Sequence, residues 1–358
     1  MTFTREIDRR SAVRLAAAGA LAAAAGTAVA GTARAEPGTV KALQLNLWLN
    51  GTKVRGGIAA AADAVQAVGA DIVTLSEAAS GTKALADELA KRGATYHAAP
   101  GDAGILSRTP LTAIGTLPGG FTKAETTVAG TTLVVYSAHL QYKWYATYLP
   151  RGYNSGADSG AYKGWDKIAS GPVTDASVVL EENAASGRPE AIDGFVADAQ
   201  KAVSAGKAVL LGGDFNEPPA ADWTTETKDL FDHNGVVAPW QSASALQAAG
   251  FADAYRTVHP SPVTHPGFTW PASNTGTKSD GTPVAVGDLT WAKEADERDR
   301  IDYLFARGLS PVSASVVGPR ESIVRSERRA ETSSDEFVHA DGAWPTDHKG
   351  VTATFRIG

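Results

Sequence analysis

The most constraining feature of this sequence is an alternation of short apolar runs with turns and helical stretches. Short apolar runs stop at a polar residue able to do chemistry, and a glycine-rich turn or alanine-rich stretch follows. Apolar runs of four to eight residues bounded by turn signals read as strands, and longer stretches with an alanine face read as helices. The pattern predicts strands over 40–51, 71–78, 104–108, 131–142, 208–216, 300–308 and 350–358, with helices over 56–69, 82–92 and 188–205. Alternation of this kind is compatible with an α/β class. No internal repeat or heptad interrupts it, and no linker-like stretch divides it, so a single main domain is expected. An apolar fraction of 43% over 358 residues supplies a sizeable core and excludes a disordered chain. The absence of cysteine excludes disulfides, thiolate metal sites and a cysteine nucleophile.

The first 35 residues follow a different pattern. Arg9 and Arg10 form a twin-arginine pair, an Ala- and Gly-rich run covers 15–30, and Ala33-Arg34-Ala35 is a small-x-small cleavage motif. The run is too short and too weakly apolar for a bilayer anchor. We expect a Tat-type signal peptide over 1–35 and a mature domain over 36–358, secreted through the twin-arginine route. Removing the segment takes the formal net charge from −6 to about −9. No global basic field then attracts nucleic acid or anionic membrane. Affinity for phosphate has to come from a metal or from a few placed side chains.

Six segments carry chemistry: Asn46 in LQLNLW, Glu77 in TLSEA, His139 in SAHLQY, Asp214 and Asn216 in GGDFNEPP, Asp302 in RIDYLF, and Asp347-His348 in TDHKGV. Taken singly, an Asp or Asn at a strand end is a turn former or cap, and a lone histidine is structural. GGDFN says more. Two glycines let the backbone pass close to a neighbour, and strand alternation would turn Asp214 and Asn216 to one side about Phe215. Together, and in this order, the six segments resemble the endonuclease/exonuclease/phosphatase (DNase I-like) superfamily. GILSRTP at 104–110 and GFTWP at 267–271 match two further signatures of that family, and the resemblance spans Asn46 to His348. Thr346 stands where the family commonly has Ser.

The resemblance implies a four-layer αββα sandwich, two facing mixed β-sheets flanked by helices, with the site at one edge. It also implies a metal-dependent phosphoesterase. Glu77, Asn46 and Asp347 are the expected metal site. A hard divalent ion, Mg²⁺ or else Mn²⁺ or Ca²⁺, suits such oxygen donors, and no clustered His or Cys favours zinc. Asp214 would orient or deprotonate the attacking water, Asn216 would donate to a phosphoryl oxygen, and His139 would protonate the leaving oxygen. Asp302 would hold His348 beside the phosphorus. Members of the family pair the first histidine with a glutamate. None stands near GILSR, and Glu125 is a candidate.

About 70 residues separate His139 from GGDFN. Five of the nine tyrosines and two of the eight tryptophans fall between Tyr142 and Trp165, with Lys143, Arg151 and Lys163 interleaved. Aromatics with cations stack rings and grip phosphate. Tyr142, Trp144, Arg151 and Trp165 are therefore expected in a substrate wall, the alternative being a loop packed on itself. In EADERDR at 294–300 the charges read as a solvated turn, although Arg298 or Arg300 could reach phosphate. The expected substrate is a small or lipid-derived phosphate mono- or diester. A secreted nuclease acting on DNA or RNA is the alternative, with VRSERRAE at 324–331 the one basic cluster. A sphingomyelinase-like phospholipase C comes third, lacking an apolar hairpin to enter a bilayer. No membrane anchor and no obligate protein partner are expected.

Overall fold

The computed structural model describes residues 38–338 and 343–358. The signal peptide expected over 1–35 lies outside the described residues. In chain order the strands are β1 (Thr39–Asn46), β2 (Ile72–Ser76), β3 (His97–Ala99), β4 (Gly104–Ser107), β5 (Thr112–Leu117), β6 (Phe121–Val128), β7 (Thr131–His139), β8 (Ala208–Asp214), β9 (Ala252–Asp253), β10 (Asp302–Arg307), β11 (Leu309–Val317), β12 (Glu321–Val324), β13 (Glu327–Ala330), β14 (Phe337–Val338) and β15 (Gly350–Ile357). One sheet runs β14-β11-β15-β1-β2-β4-β3 and the other β5-β6-β7-β8-β10-β9, with β12–β13 a separate hairpin. Both sheets are mixed. β1 and β2 are parallel across the helix Gly57–Val68, and β7 and β8 are parallel across the long crossover that contains the helix Arg188–Ser204. A parallel pair requires such a crossover.

Strand alternation builds the layers. On β1, Leu43 and Leu45 face outward onto Ala61, Val65, Leu85 and Leu89 of the helices Gly57–Val68 and Gly81–Lys91. Val40 and Ala42 face inward, where Ile105, Leu133, Leu210 and Phe355 join them between the sheets. The outer face of the second sheet, with Tyr136 and Leu211, packs on Ile192 and Phe195 of Arg188–Ser204. The result is the expected four-layer αββα sandwich. Among the described residues no helix is long and apolar enough to cross a membrane.

Burial on both faces explains which strands the sequence reveals. β1, β2, β7, β8, β10 and β15 are mostly buried and read as apolar runs. β5 is exposed almost throughout, and β11 carries Pro311 at a break in register, so neither shows a clean pattern. The helices Ala176–Ala184 and Gln241–Ala248 were also not expected.

Candidate active site

The inner face of the sandwich turns from apolar to polar at one end. Continuing β1 past Val40 and Ala42, the inward positions are Gln44 and Asn46; on β2 they are Thr74 and Ser76. Register sets the rest. Asp214 lies opposite Asp302 on β10 and opposite His139 on β7, so three chemical groups sit in one row across three strands. Hydrogen bonds stitch this row to the facing sheet. Ser76 Oγ accepts from the Asp214 amide at 3.1 Å, and Gln44 Nε2 donates to Ser76 Oγ at 3.0 Å. Gly212 makes the approach possible, because a Cβ there would fall 2.1 Å from Thr74 Oγ1.

β8 ends at Asp214, so strand alternation does not orient Asn216 as expected. Asn216 instead takes a left-handed φ of 49°, its amide donates to Asp214 Oδ1 at 2.9 Å, and its Nδ2 donates to Leu140 O at 3.1 Å. One Nδ2 hydrogen is then left for a phosphoryl oxygen. Glu77 also has a left-handed φ, 51°. Such conformations in residues other than glycine concentrate at functional sites, where surrounding contacts hold them.

His348 and Asp302 are paired as expected. His348 Nδ1 donates to Asp302 Oδ2 at 2.9 Å, while Nε2 lies 3.8 Å from Asp214 Oδ2. Burial disfavours the imidazolium, but Asp302 and Asp214 outweigh it and raise His348 to about 10. Burial, followed by repulsion from Asp302, lifts Asp214 to about 6, with His348 and His139 opposing. Thr346 serves the turn as a serine would: its Oγ1 accepts from the His348 amide and donates to Asp347 Oδ1, both at 3.2 Å.

Two groups of acids offer oxygens to a divalent cation. Asp214, Asp302 and His348 place ligand atoms within 4.8 Å of one another. The two carboxylates favour the charged form of His348, which makes it a poor metal ligand, and the Asp302–His348 hydrogen bond already occupies one ring nitrogen. Glu77 and Asp347 fit better. Glu77 accepts from Asn46 Nδ2 at 3.2 Å and from the Leu49 amide at 2.7 Å, keeping lone pairs for a ligand. Asp347 is pushed up to about 7 by burial and, secondarily, by the Glu77 charge, which His348 opposes. Two hard carboxylates whose charges oppose each other at half-buried positions on the cleft wall are matched by a divalent ion. Asn46 serves them differently from the expectation. Its Oδ1 accepts from the Trp48 amide at 2.8 Å, and its Nδ2 also donates to Asp214 Oδ2 at 3.0 Å. It bridges Glu77 to Asp214 with its nitrogen rather than offering its oxygen.

His139 finds a partner that no local sequence cue marks. Nδ1 meets Asp102 Oδ2 at 2.6 Å, two residues before β4, and Glu125 is paired with Lys207 instead. Burial opposes charge on His139, but Asp102, Asp214 and Glu77 together outweigh it and raise the pKa. Nε2 is left to face the cleft. A profile of the Endonuclease/Exonuclease/phosphatase family matches residues 43–348. The chain belongs to this family.

The uncharacterized protein F14F9.5 of Caenorhabditis elegans is 28% identical over 148 residues, covering 41% of this chain and only 40% of that relative. Among solved structures, the endonuclease/exonuclease/phosphatase from Beutenbergia cavernae is 17% identical with a TM-score of 0.47, covering 89% of this chain and 72% of its own. Truncated Caenorhabditis elegans TDP2 is 16% identical with a TM-score of 0.45, covering 89% and 98%. The human Nocturnin catalytic domain is 13% identical with a TM-score of 0.46, covering 91% and 97%.

In this family member the cleft encloses about 480 Å³, and Glu77, Asp102, His139, Asp214, Asn216, Asp347 and His348 open into it. The crossover after His139 is both wall and satellite core. Tyr142 and Trp165 line the cleft, and Tyr145 and Tyr148 line it too while packing with Tyr153, Trp270 and Ile301. Trp144 is off the lining, and its carbonyl accepts from Arg188. Arg151 is buried in a bidentate pair with Asp299, at 2.6 and 3.1 Å, and is not available to phosphate. The 294–300 run is not a solvated turn: Glu297, Asp299 and Arg300 are buried. Arg300 holds Asp222 and Asp253, and Arg298 holds Asp296 and Glu331, so neither reaches the cleft. In the 324–331 cluster, Arg325 pairs with Asp232 and Arg329 with Glu327. Trp48, Lys53, Trp270 and Trp291 also line the wall and were not expected there; Trp48 and Trp270 lie in the quoted segments LQLNLW and GFTWP, but nothing in those segments marks them as wall residues.

The Asp102 contact is directly testable in this family member. Asp102→Asn is expected to lower turnover at least about 10-fold by releasing the His139 tautomer and orientation. Glu125→Gln is expected to leave it unchanged, because the Lys207 pair is half-exposed. Steady-state kinetics on one chromogenic phosphoester compares the two.

Proposed function

We propose that this family member is a divalent-metal-dependent phosphoester hydrolase that uses water to cleave a small or lipid-derived phosphate mono- or diester. The convergence of Asp214, His348 and His139 on a cleft also lined by Glu77 and Asp347 carries the reading. Glu77 and Asp347 would hold the metal, which when bound supplies Lewis-acid stabilisation of phosphoryl oxygens. Asp214 accepts from Asn46 and Asn216, which hold its carboxylate in place to orient a water and take its proton. His348 carries positive charge maintained by Asp302 and stabilises negative charge developing on the phosphoryl group. His139, its Nδ1 occupied by Asp102, presents Nε2 to the leaving oxygen.

The nuclease alternative has less support. Binding to a polyanion requires a row of cations. Lys53 is the single Lys or Arg on the cleft wall among the described residues. The twin-arginine pair and cleavage motif support export, which fractionation of a tagged full-length chain tests.

The decisive experiment assays the 36–358 chain on bis-p-nitrophenyl phosphate and plasmid DNA with Mg²⁺, Mn²⁺ or Ca²⁺. We expect turnover of the small ester, suppression by EDTA and restoration by the ion. Glu77→Gln is expected to raise the ion concentration needed. Metal-independent turnover would remove the metal from this reading, and rapid plasmid cleavage lost at high salt would transfer it to a nuclease.

A further inference from the structure

Six rings form an unbroken file from solvent to the acid–base cluster. Trp291, 51% exposed, lies 4.9 Å from Trp165 between centroids, and Trp165 lies 5.9 Å from Tyr148. Tyr148 is 4.9 Å from Tyr145, Tyr145 is 6.2 Å from Trp270, and Trp270 is 6.5 Å from His348. The two phenol hydroxyls are committed to buried carboxylates. Tyr148 donates to Glu297 Oε2 at 2.7 Å and Tyr145 to Asp299 Oδ2 at 2.9 Å. The wall therefore offers ring surface rather than phenol hydrogen bonds, and donation to a carboxylate enriches each ring in electron density.

The two acids differ in one respect. Asp299 has Arg151 as its counter-ion. Glu297 is buried and bound by donors only, namely Tyr148, Thr290 Oγ1 and the Trp291 and Ala292 amides, with no ion pair among the described residues. A buried anion without a cation is costly. Its complement would stand across the rings, because ring faces attract cations most strongly when desolvated. A sugar would look for hydrogen-bond partners that these phenols have already committed, and a polyphosphate would look for cations.

We propose that the file of rings is a subsite for an organic cation carried by the phosphoester, an alkylated or quaternary ammonium group. Trp165, Trp291 and Tyr148 are its contact surfaces, and Glu297 is its buried counter-charge. The inference rests on the phosphoester hydrolase reading and specifies its substrate class.

The test compares p-nitrophenyl phosphocholine with p-nitrophenyl 3,3-dimethylbutyl phosphate, which has the same shape with carbon in place of the charged nitrogen. We expect kcat/KM to favour the cation about 10-fold or more, a typical value for a desolvated cation on aromatic faces. Trp291→Leu and Glu297→Gln are each expected to shrink that ratio toward one. Trp291 is exposed, so its variant decides the matter if Glu297→Gln fails to fold. A wild-type ratio near one overturns the subsite. Tryptophan-fluorescence titration with phosphocholine and with 3,3-dimethylbutyl phosphate reads the same preference without turnover. Loss of all hydrolysis, bis-p-nitrophenyl phosphate included, would therefore overturn the hydrolase reading alone, while equal binding of the two titrants would overturn the subsite alone. Glycerophosphocholine set against phosphatidylcholine vesicles distinguishes a free ester from a lipid headgroup as the source of the cation.

Discussion

Asp214→Asn is expected to lower kcat by about 10²–10⁴ while the protein stays folded, because it removes the proposed base without emptying its place. Both carboxylate oxygens accept, one from Asn46 Nδ2 and one from the Asn216 amide. An amide must therefore turn its nitrogen toward a donor and lose one bond, about 1 kcal/mol. Against this, the wild-type carboxyl is raised to about 6 by burial and by Asp302. An acid whose folded pKa lies above its unfolded value destabilises the fold at every pH where it is ionised, so the neutral amide relieves the native state near neutrality. The two effects oppose each other, and the melting temperature is expected to move little. Parallel kinetics on bis-p-nitrophenyl phosphate and thermal denaturation check both halves. Activity within 10-fold of wild type would end the assignment of Asp214 as base.

Arg151→Met is expected to do the reverse, destabilising the fold by about 3–5 kcal/mol through a buried pair broken on one side. Arg151 ties the β7–β8 crossover to Asp299, and the backbone of Asp299 pairs with Trp270 beside the catalytic row. The variant leaves Asp299 buried with only Tyr145 and Trp223 as neutral donors. Adding Asp299→Leu is expected to recover part of the loss, because replacing both charges with apolar groups is often nearly neutral. Chemical denaturation of wild type and the single and double variants measures this. A single variant as stable as wild type would show that the pair does not hold the wall.

The candidate catalytic row was legible because it lies at strand ends. Asn46, Glu77, His139 and Asp214 each follow an apolar run, and Asp302 opens one, that burial on both faces makes visible, and their order along the chain follows the order of strands. Asp102 was not legible. It sits in a turn, and only the antiparallel pairing of β2 with β4 and the facing of the two sheets bring it to His139. Arg151 misleads for a related reason: a cation among aromatics reads as a phosphate grip, and nothing local reveals Asp299, 148 residues away, as its partner. The aromatic file is likewise drawn from separated segments, 145–165, 270 and 291.

The sequence by itself determined the alternating strands and helices, the family and the set of groups that meet at the sheet ends. These follow from local hydrophobic period and from side chains that a strand carries to a fixed place. Tertiary structure alone decided the partner of His139, the burial of the 294–300 charges, the orientation of Asn46 and the composition of the substrate wall. Each depends on which distant residue supplies a counter-charge or a ring, and that choice is made by packing between loops, where no periodicity constrains the chain.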